Sequence, residues 1–279
     1  MSYISLSNGL RIPDIGFGTY KLNDSNDNTI ALALKSGYRL FDTASFYDNY
    51  DVLKEALNSM DVPRKDIFIS SKCWRTEMGY EKAIASYNFA CQKLGVEFLD
   101  MFLIHWPRPN LVDENWKEVS RETWRALEDL YLSGKVKSIG VSNFMIEHLD
   151  NILDNARIIP MVNQIEFHPG YIQNNVLEYC KVNKIQVMGW SPLGCNRLST
   201  NALLNDLAKK YSVTLAQICI RYALQKNVIP LPKSSSADRM KNNMDVYGFE
   251  ITLEDIKLLD NMPLTAWSGE HPDHERVKF

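Results

Sequence analysis

Several absences in this 279-residue sequence narrow its function before any motif is read. No apolar run approaches the roughly 18 residues of a membrane span. Residues 1–9 contain no basic segment followed by an apolar stretch, so no secretory signal is expected. Only five cysteines occur (73, 91, 180, 195 and 219), with no Cys-x-x-Cys pair. That pattern suits free thiols in a reducing compartment, and a cytoplasmic location is expected. Charge of one sign is nowhere concentrated: 31 Lys and Arg are interspersed with 34 Asp and Glu, for a net charge of −3. Without a basic stripe, no nucleic-acid partner is expected, and no membrane partner either. The dinucleotide fingerprint Gly-x-Gly-x-x-Gly is missing too; Gly16-Phe17-Gly18 has no third glycine, which argues against a Rossmann cofactor site. His271 and His274 have i, i+3 spacing but no thiol or carboxylate cluster beside them, so no metal is expected.

What remains is ample material for a core, with 45% hydrophobic and 23% charged residues. The segment Tyr3–Ile12 alternates apolar and polar residues around Asn8-Gly9, which predicts an opening hairpin with a tight turn whose positive φ angles that dipeptide supplies. Short apolar runs then alternate with helical spacing. The strand-like runs are Ile15–Gly18, Arg39–Asp42, Ile67–Lys72, Leu99–His105, Ser138–Ser142, Met161–Glu166, Gln186–Trp190 and Val228–Pro230. Three- and four-residue apolar spacing marks helices over Thr29–Ser36, Gly79–Leu94, Trp116–Ser133, Ile146–Asn155, Asn175–Asn183 and Leu215–Gln225. Eight strands separated by helices imply parallel pairing through right-handed crossovers. The length, close to the roughly 250 residues of such a barrel, favours a closed (β/α)₈ TIM barrel with an N-terminal hairpin and extra helices. No linker splits the chain, so one domain over 1–279 is expected. The tail from Thr265 to Phe279 looks irregular and is placed over one barrel mouth.

A polar residue follows most of the apolar runs at its C-terminal end, where barrels of this kind carry their active sites. Four of these residues are chemically consistent with one another. A buried Lys72 needs an anionic partner, and Asp42 on the adjacent strand is within reach. A cationic lysine beside a phenol favours the phenolate and lowers its pKa, and Tyr47 lies five residues past Asp42 in a loop over the mouth. His105 can donate a hydrogen bond to a carbonyl oxygen. Together they form a proton donor beside an incoming carbonyl.

The set resembles the aldo-keto reductase family. The matching pieces are Gly16-Phe17-Gly18-Thr19, Phe41-Asp42-Thr43-Ala44 with Tyr47, Lys72, Leu103-Ile104-His105-Trp106-Pro107, Gly140-Val141-Ser142-Asn143-Phe144, Asn163-Gln164-Ile165-Glu166-Phe167-His168-Pro169, Trp190-Ser191-Pro192-Leu193-Gly194 and Leu231-Pro232-Lys233-Ser234. They run in the family's order from residue 5 to about 260, most like the bacterial-type glyoxal and diketogluconate reductases. The resemblance implies NADPH-dependent reduction of a small-molecule carbonyl, with Tyr47 as general acid tuned by Asp42 and Lys72, and His105 orienting the substrate. A small aldehyde, a dicarbonyl or a keto-sugar acid is the implied substrate, and a monomer the expected state.

For the cofactor, Lys233 and Arg239 lie after the last strand, where barrels bind phosphate, among serines able to cap a helix. The resemblance implies that this pair holds the 2′-phosphate. It likewise implies Ser142, Asn143 and Gln164 at the carboxamide, Trp190 stacked on the nicotinamide, and Ser191 and Leu193 at the pyrophosphate. Gly18, Thr19, Asp42, Ser234 and Asn243 complete the implied cofactor set. Tyr20, Tyr47, Trp74, His105 and Trp106 form the implied substrate pocket, with Trp267 a further candidate. The sequence departs from the family at Trp190 (more usually tyrosine), at Asn242 (often glutamate), at Tyr20 (often tryptophan) and at Asn49-Tyr50, where a glutamate is common.

Plainer readings stand beside each of these. Asp42 and Lys72 also read as a structural ion pair, Tyr47 as a loop tyrosine and His105 as a core histidine. Glu166 and His168 read as structural, and Cys73 as a packed thiol. A Schiff-base lyase acting through Lys72 is a rival, although that lysine should then have no carboxylate partner. A catalytically silent NADPH-binding subunit is a second rival.

Overall fold

The computed structural model describes residues 2–22, 28–59 and 61–278. The opening hairpin pairs β1 (Tyr3–Ser5) with β2 (Arg11–Pro13). Its turn is longer than the tight one expected. Only Gly9 takes a positive φ, of 82°, while Asn8 instead accepts a hydrogen bond from Leu10 N–H on its Oδ1 at 3.0 Å. This is a three-residue loop closed by a left-handed glycine, not a two-residue turn. Asn8 Nδ2 also donates to Lys137 O at 3.0 Å, which places the hairpin tip at the N-terminal end of the barrel.

Eight strands then follow in one parallel sheet: β3 (Phe17–Gly18), β4 (Leu40–Asp42), β5 (Phe68–Cys73), β6 (Met101–Ile104), β7 (Ile139–Ser142), β8 (Val162–Glu166), β9 (Gln186–Trp190) and β10 (Val228–Leu231). Each pairs with the next in chain order. Two backbone hydrogen bonds join the ends of the series, Gly16 N–H to Pro230 O at 3.0 Å and Gly18 N–H to Pro232 O at 3.2 Å, and the sheet closes into the expected barrel. Some strands are shorter than their apolar runs. β6 stops at Ile104, yet His105 N–H still donates to Cys73 O at 3.0 Å, so the histidine stays aligned with the sheet just past its edge.

Helices return the chain between strands. α1 is Thr29–Lys35, α2 Tyr50–Asn58, α3 Tyr80–Leu94, α4 Trp116–Leu132, α5 Ile146–Leu153 and α6 Asn174–Val182. Two helices, α7 (Ala202–Lys210) and α8 (Leu215–Gln225), separate β9 from β10, and α9 (Ala237–Met244) and α10 (Leu253–Asp260) follow β10. Apolar spacing does not mark α2, α7 or α10. In α10 the reason is visible: Leu253 and Leu258 face solvent and blur the periodicity, while Thr252 caps the helix through Asp255 N–H. Gly79, Ser36, Ser133 and Asn183, read as helix ends, are caps rather than helical residues.

The strands are buried almost throughout and supply much of the core, including Phe41, Phe102, Leu103, Ile165 and Met188. Burying each such side chain contributes about 2 kcal/mol. Gly140 is required by this packing, because a Cβ there would lie 2.5 Å from Val162 O. Among the described residues, no helix is long and apolar enough to cross a membrane.

Candidate active site

The C-terminal ends of the neighbouring strands β4 and β5 lie side by side at the barrel mouth, and their side chains make a dense polar cluster there. Lys72 is fully buried, and its Nζ donates to Asp42 Oδ2 at 2.6 Å, to Thr43 O at 3.0 Å and to Tyr47 Oη at 3.2 Å. All three ammonium hydrogens therefore have acceptors. The other Asp42 oxygen accepts from Ser70 Oγ at 3.1 Å and Gln164 Nε2 at 2.8 Å. The carboxylate is thus fully paired, and its contact opposes the loss of the Lys72 proton that burial favours. Asp42 and Lys72 thus meet as expected from sequence. Ser70 escaped notice there, although its i, i+2 relation to Lys72 puts both on one face of β5.

Tyr47 is brought over this pair by a single 3₁₀ turn, Ser45–Tyr47. Glu77 holds that turn in place. Its Oε2 accepts from Ser45 Oγ at 2.7 Å, Trp74 N–H at 2.7 Å and Ser86 Oγ at 2.8 Å, tying the tyrosine's loop to the loop after β5. Phe46 stacks on Trp74 with centroids 3.8 Å apart. Trp74 meets His105 edge-on at 4.9 Å, and Tyr47 meets the same imidazole at 5.6 Å, with Tyr20 on its other side at 5.0 Å. Tyr20, Tyr47, Trp74 and His105 therefore form one aromatic cluster at the mouth. Glu77 was also missed in sequence, though Trp74-Arg75-Thr76-Glu77 carries capping-type spacing.

The electrostatics of this cluster differ in one respect from expectation. Burial pushes the Tyr47 phenol well above its usual value and the Asp42 carboxylate adds to the rise, so the net shift in this structure is upward. The nearby ammonium, expected to lower it, does not prevail. Burial also lowers Lys72, opposed by Asp42. His105 is held well below the usual imidazole range by burial, then by Lys72 and Arg75. Its Nδ1 is buried without a hydrogen bond among the described residues. An unpaired lone pair costs less there than an unpaired N–H, so the single proton of the neutral ring belongs on Nε2.

The other side of the mouth is built from β7 to β10. Ser142 Oγ donates to Gln164 O at 2.9 Å, and Asn143, in a left-handed conformation (φ 61°), donates from Nδ2 to His105 O at 3.0 Å. Its Oδ1 accepts from Trp190 Nε1 at 2.9 Å, which fixes the half-buried indole at the end of β9. Ser191 and Leu193 follow in the next turn, where the Ser191 and Cys195 side chains are 3.1 Å apart. Beyond β10, Ser236 caps α9, and Arg239 Nε donates to Ser234 Oγ at 3.2 Å. Lys233 is exposed and donates to Tyr20 O at 2.8 Å, so its ammonium bridges the mouth between the two ends of the sheet. Asn243 is buried in α9, whereas Asn242 is exposed. Gly18 and Thr19 close the ring: Thr19 Oγ1 donates to Asp42 O at 2.9 Å, and a Cβ at Gly18 would crowd Leu231 O at 3.2 Å. Two cations at a capped helix start and an indole face beside Asn143 and Gln164 fit a phosphorylated nicotinamide cofactor.

The tail contains no regular element but is firmly attached at this end of the barrel. Buried Glu166, at the end of β8, accepts from Ser268 N–H at 2.9 Å and Ser268 Oγ at 2.6 Å and lies 3.3 Å from His168 Nε2. Asp273 pairs with Arg108 at 2.8 Å and His148 at 3.0 Å. Trp267 stacks on Tyr171 at 5.6 Å. Trp106 is buried under the Arg75 guanidinium, which lies 4.5 Å from its ring centre. Cys73 is a packed thiol whose pKa burial raises. His271 and His274 stack at 4.7 Å.

The sequence pattern of the Aldo/keto reductase family matches residues 14–263. The chain belongs to this family. It is 38% identical over 272 residues to the "Glyoxal reductase" of Bacillus subtilis (strain 168), covering 97% of this chain and 96% of that relative. The solved structure of MGS-M4, an aldo-keto reductase from a deep-sea metagenome library, superimposes with a TM-score of 0.90 at 35% identity over all of both chains. The Bombyx mori aldo-keto reductase, solved in complex with NADP, gives 0.86 at 28% identity, covering 99% of this chain and 95% of that one. As an aldo-keto reductase the protein is an oxidoreductase, and its family and relatives support carbonyl reduction as its chemistry.

Proposed function

We propose that the whole chain, 1–279, acts as one domain that reduces small aldehydes, dicarbonyls or keto-sugar acids with NADPH, using Tyr47 as general acid. The observation that carries this reading is the continuous Asp42–Lys72–Tyr47 chain, with contacts of 2.6 and 3.2 Å, ending at a phenol beside neutral His105. Bound NADPH supplies the hydride. Tyr47 Oη gives its proton to the carbonyl oxygen, and the Lys72 ammonium stabilises the phenolate left behind. The upward shift of the phenol keeps that proton in place at neutral pH until a substrate arrives. Asp42, fixed by Ser70 and Gln164, holds Lys72 charged. His105 donates from Nε2 to the same carbonyl oxygen and sets its direction.

Lys233 and Arg239 would take the cofactor's 2′-phosphate, and Trp190 would face the nicotinamide, with Ser142, Asn143 and Gln164 near its carboxamide. Ser191 and Leu193 would meet the pyrophosphate. The Lys72–Asp42 pair disfavours the Schiff-base alternative, because an ammonium with three acceptors is a poor nucleophile. The free cysteines accord with work in the cytoplasm, and the enzyme is proposed to act as a monomer.

The test is NADPH consumption across a panel of aldehydes, dicarbonyls and keto-sugars by wild type and Tyr47→Phe. Turnover in the wild type that drops about 10³-fold in the variant, with NADPH binding retained, is expected. No wild-type turnover despite tight NADPH binding would point to a silent binding subunit, and an unaffected variant would remove Tyr47 from its role.

A further inference from the structure

One cation beside the proposed substrate space, Arg75, has no ion-pair partner among the described residues. Arg75 follows Trp74, whose ring touches His105, and its guanidinium covers the Trp106 ring at 4.5 Å. Its hydrogen bond is a long one, from Nη1 to Arg108 O at 3.4 Å. Among the described residues, no carboxylate lies within salt-bridge distance of it. The acids whose charge reaches it are in the tail and are engaged elsewhere, Asp273 with Arg108 and His148 and Glu270 with Arg276 at 3.4 Å, while Glu77 on its own turn is taken up by Ser45, Trp74 and Ser86. Arg108 and Arg276 thus each have a carboxylate partner, whereas Arg75 has none among the described residues. The arginine is half-buried and flat against an indole, so its fork is held in place with part of its hydration removed. Its charge is felt at the imidazole, where it helps keep His105 neutral.

Resting on the reductase reading, we infer that Arg75 is a specificity residue that binds a carboxylate on the substrate, making anionic carbonyl compounds the preferred class. Arg75 lies over Trp106 and not against His105 or Tyr47, so the carboxylate it takes is remote from the reacting carbon. A planar carboxylate matches the guanidinium fork with two hydrogen bonds, and a neutral carbonyl compound leaves that fork unused. The same charge adds attraction at a distance, which salt weakens.

The experiment compares 4-carboxybenzaldehyde with its methyl ester as substrates for wild type, Arg75→Gln and Arg75→Lys. Wild type is expected to favour the acid over the ester in kcat/KM, through KM, with a preference that shrinks in high salt. In Arg75→Gln the acid-to-ester ratio should fall at least tenfold, and Arg75→Lys should recover part of it. Ester turnover by wild type without any preference for the acid, or a ratio unmoved by Arg75→Gln, overturns the assignment and leaves the reductase standing. Failure of wild type on both compounds and on the wider carbonyl panel removes the reductase reading and the assignment together.

Discussion

The two halves of the barrel mouth are organised differently. On the β4–β6 side, Asp42, Lys72 and Ser70 are buried and hydrogen-bonded to one another, and Glu77 locks the Tyr47 turn above them. On the β10 side, Lys233 and Arg239 are exposed, and among the described residues their cationic groups have one hydrogen-bond partner each, a backbone carbonyl and a serine hydroxyl. The first half is set before any ligand arrives. On the reading proposed above, the second would add ligand contacts to the few protein ones it has. Groups that act on a developing charge gain from being fixed in advance. Groups that only grip a phosphate lose little by waiting.

The sharpest way to break this contrast is Lys72→Met, which leaves Asp42 buried without its ammonium. Stability should fall by about 3 kcal/mol or more in urea unfolding, and turnover should fall by orders of magnitude. Pairing it with Asp42→Asn should return most of the stability and none of the turnover, since a neutral pair removes the buried charge without restoring the proton relay. On the opposite side, Lys233→Ala or Arg239→Ala should weaken NADPH binding about tenfold each, read by fluorescence titration, with melting almost unchanged.

Acid provides an intermediate test. His105 and His148 are both held below the usual imidazole value by burial. Above about pH 6.5 both are neutral in folded and unfolded chains and contribute nothing. Below that value the unfolded chain gains the protons first, so stability should drop as pH falls toward the folded values, more steeply for the loss traced to His105 than for that traced to His148, which Asp273 partly offsets. The raised Tyr47 pKa predicts in turn that kcat/KM for reduction holds its level through pH 9, since the phenol stays protonated. The smallest effect should come from Glu77→Gln, which keeps the shape but weakens the anchors of Ser45, Trp74 and Ser86. A severalfold loss in kcat with NADPH affinity unmoved would place the pre-set half of the mouth under Glu77.

Much of this arrangement was legible in the sequence where chemistry coincides with local pattern. Asp42, Lys72 and His105 each close an apolar run, and adjacent parallel strands put such ends side by side, so their meeting follows from strand order alone. The Asn8-Gly9 turn was legible in kind but not in length, because Asn8 spends its side chain on Leu10 N–H instead of turning its own backbone. The phenol's direction of shift is not legible because Lys72 is plain in sequence, while the burial around the Tyr47 hydroxyl is not. Arg75 reads as an ordinary solvated arginine after a strand until Trp106 is seen beneath it. The tail's anchor was beyond local reading altogether, for Glu166 and Ser268 are brought together only by the closed barrel.

The join between β3 and β10 bears on how this barrel breathes. In a parallel ladder, Gly16 N–H reaches Pro230 O and the return bond would come from the N–H of residue 232, but that residue is a proline and has none to give. The closing edge is therefore held by donations in one direction only. Amide exchange at Gly16 and Gly18 should outpace that of the other barrel strands, marking this edge as the one that parts first in subglobal opening. Lys233 stands one residue past it, tied to Tyr20 across the same gap, so a ligand gripping that lysine would also act as a clasp on the barrel's least-stitched edge.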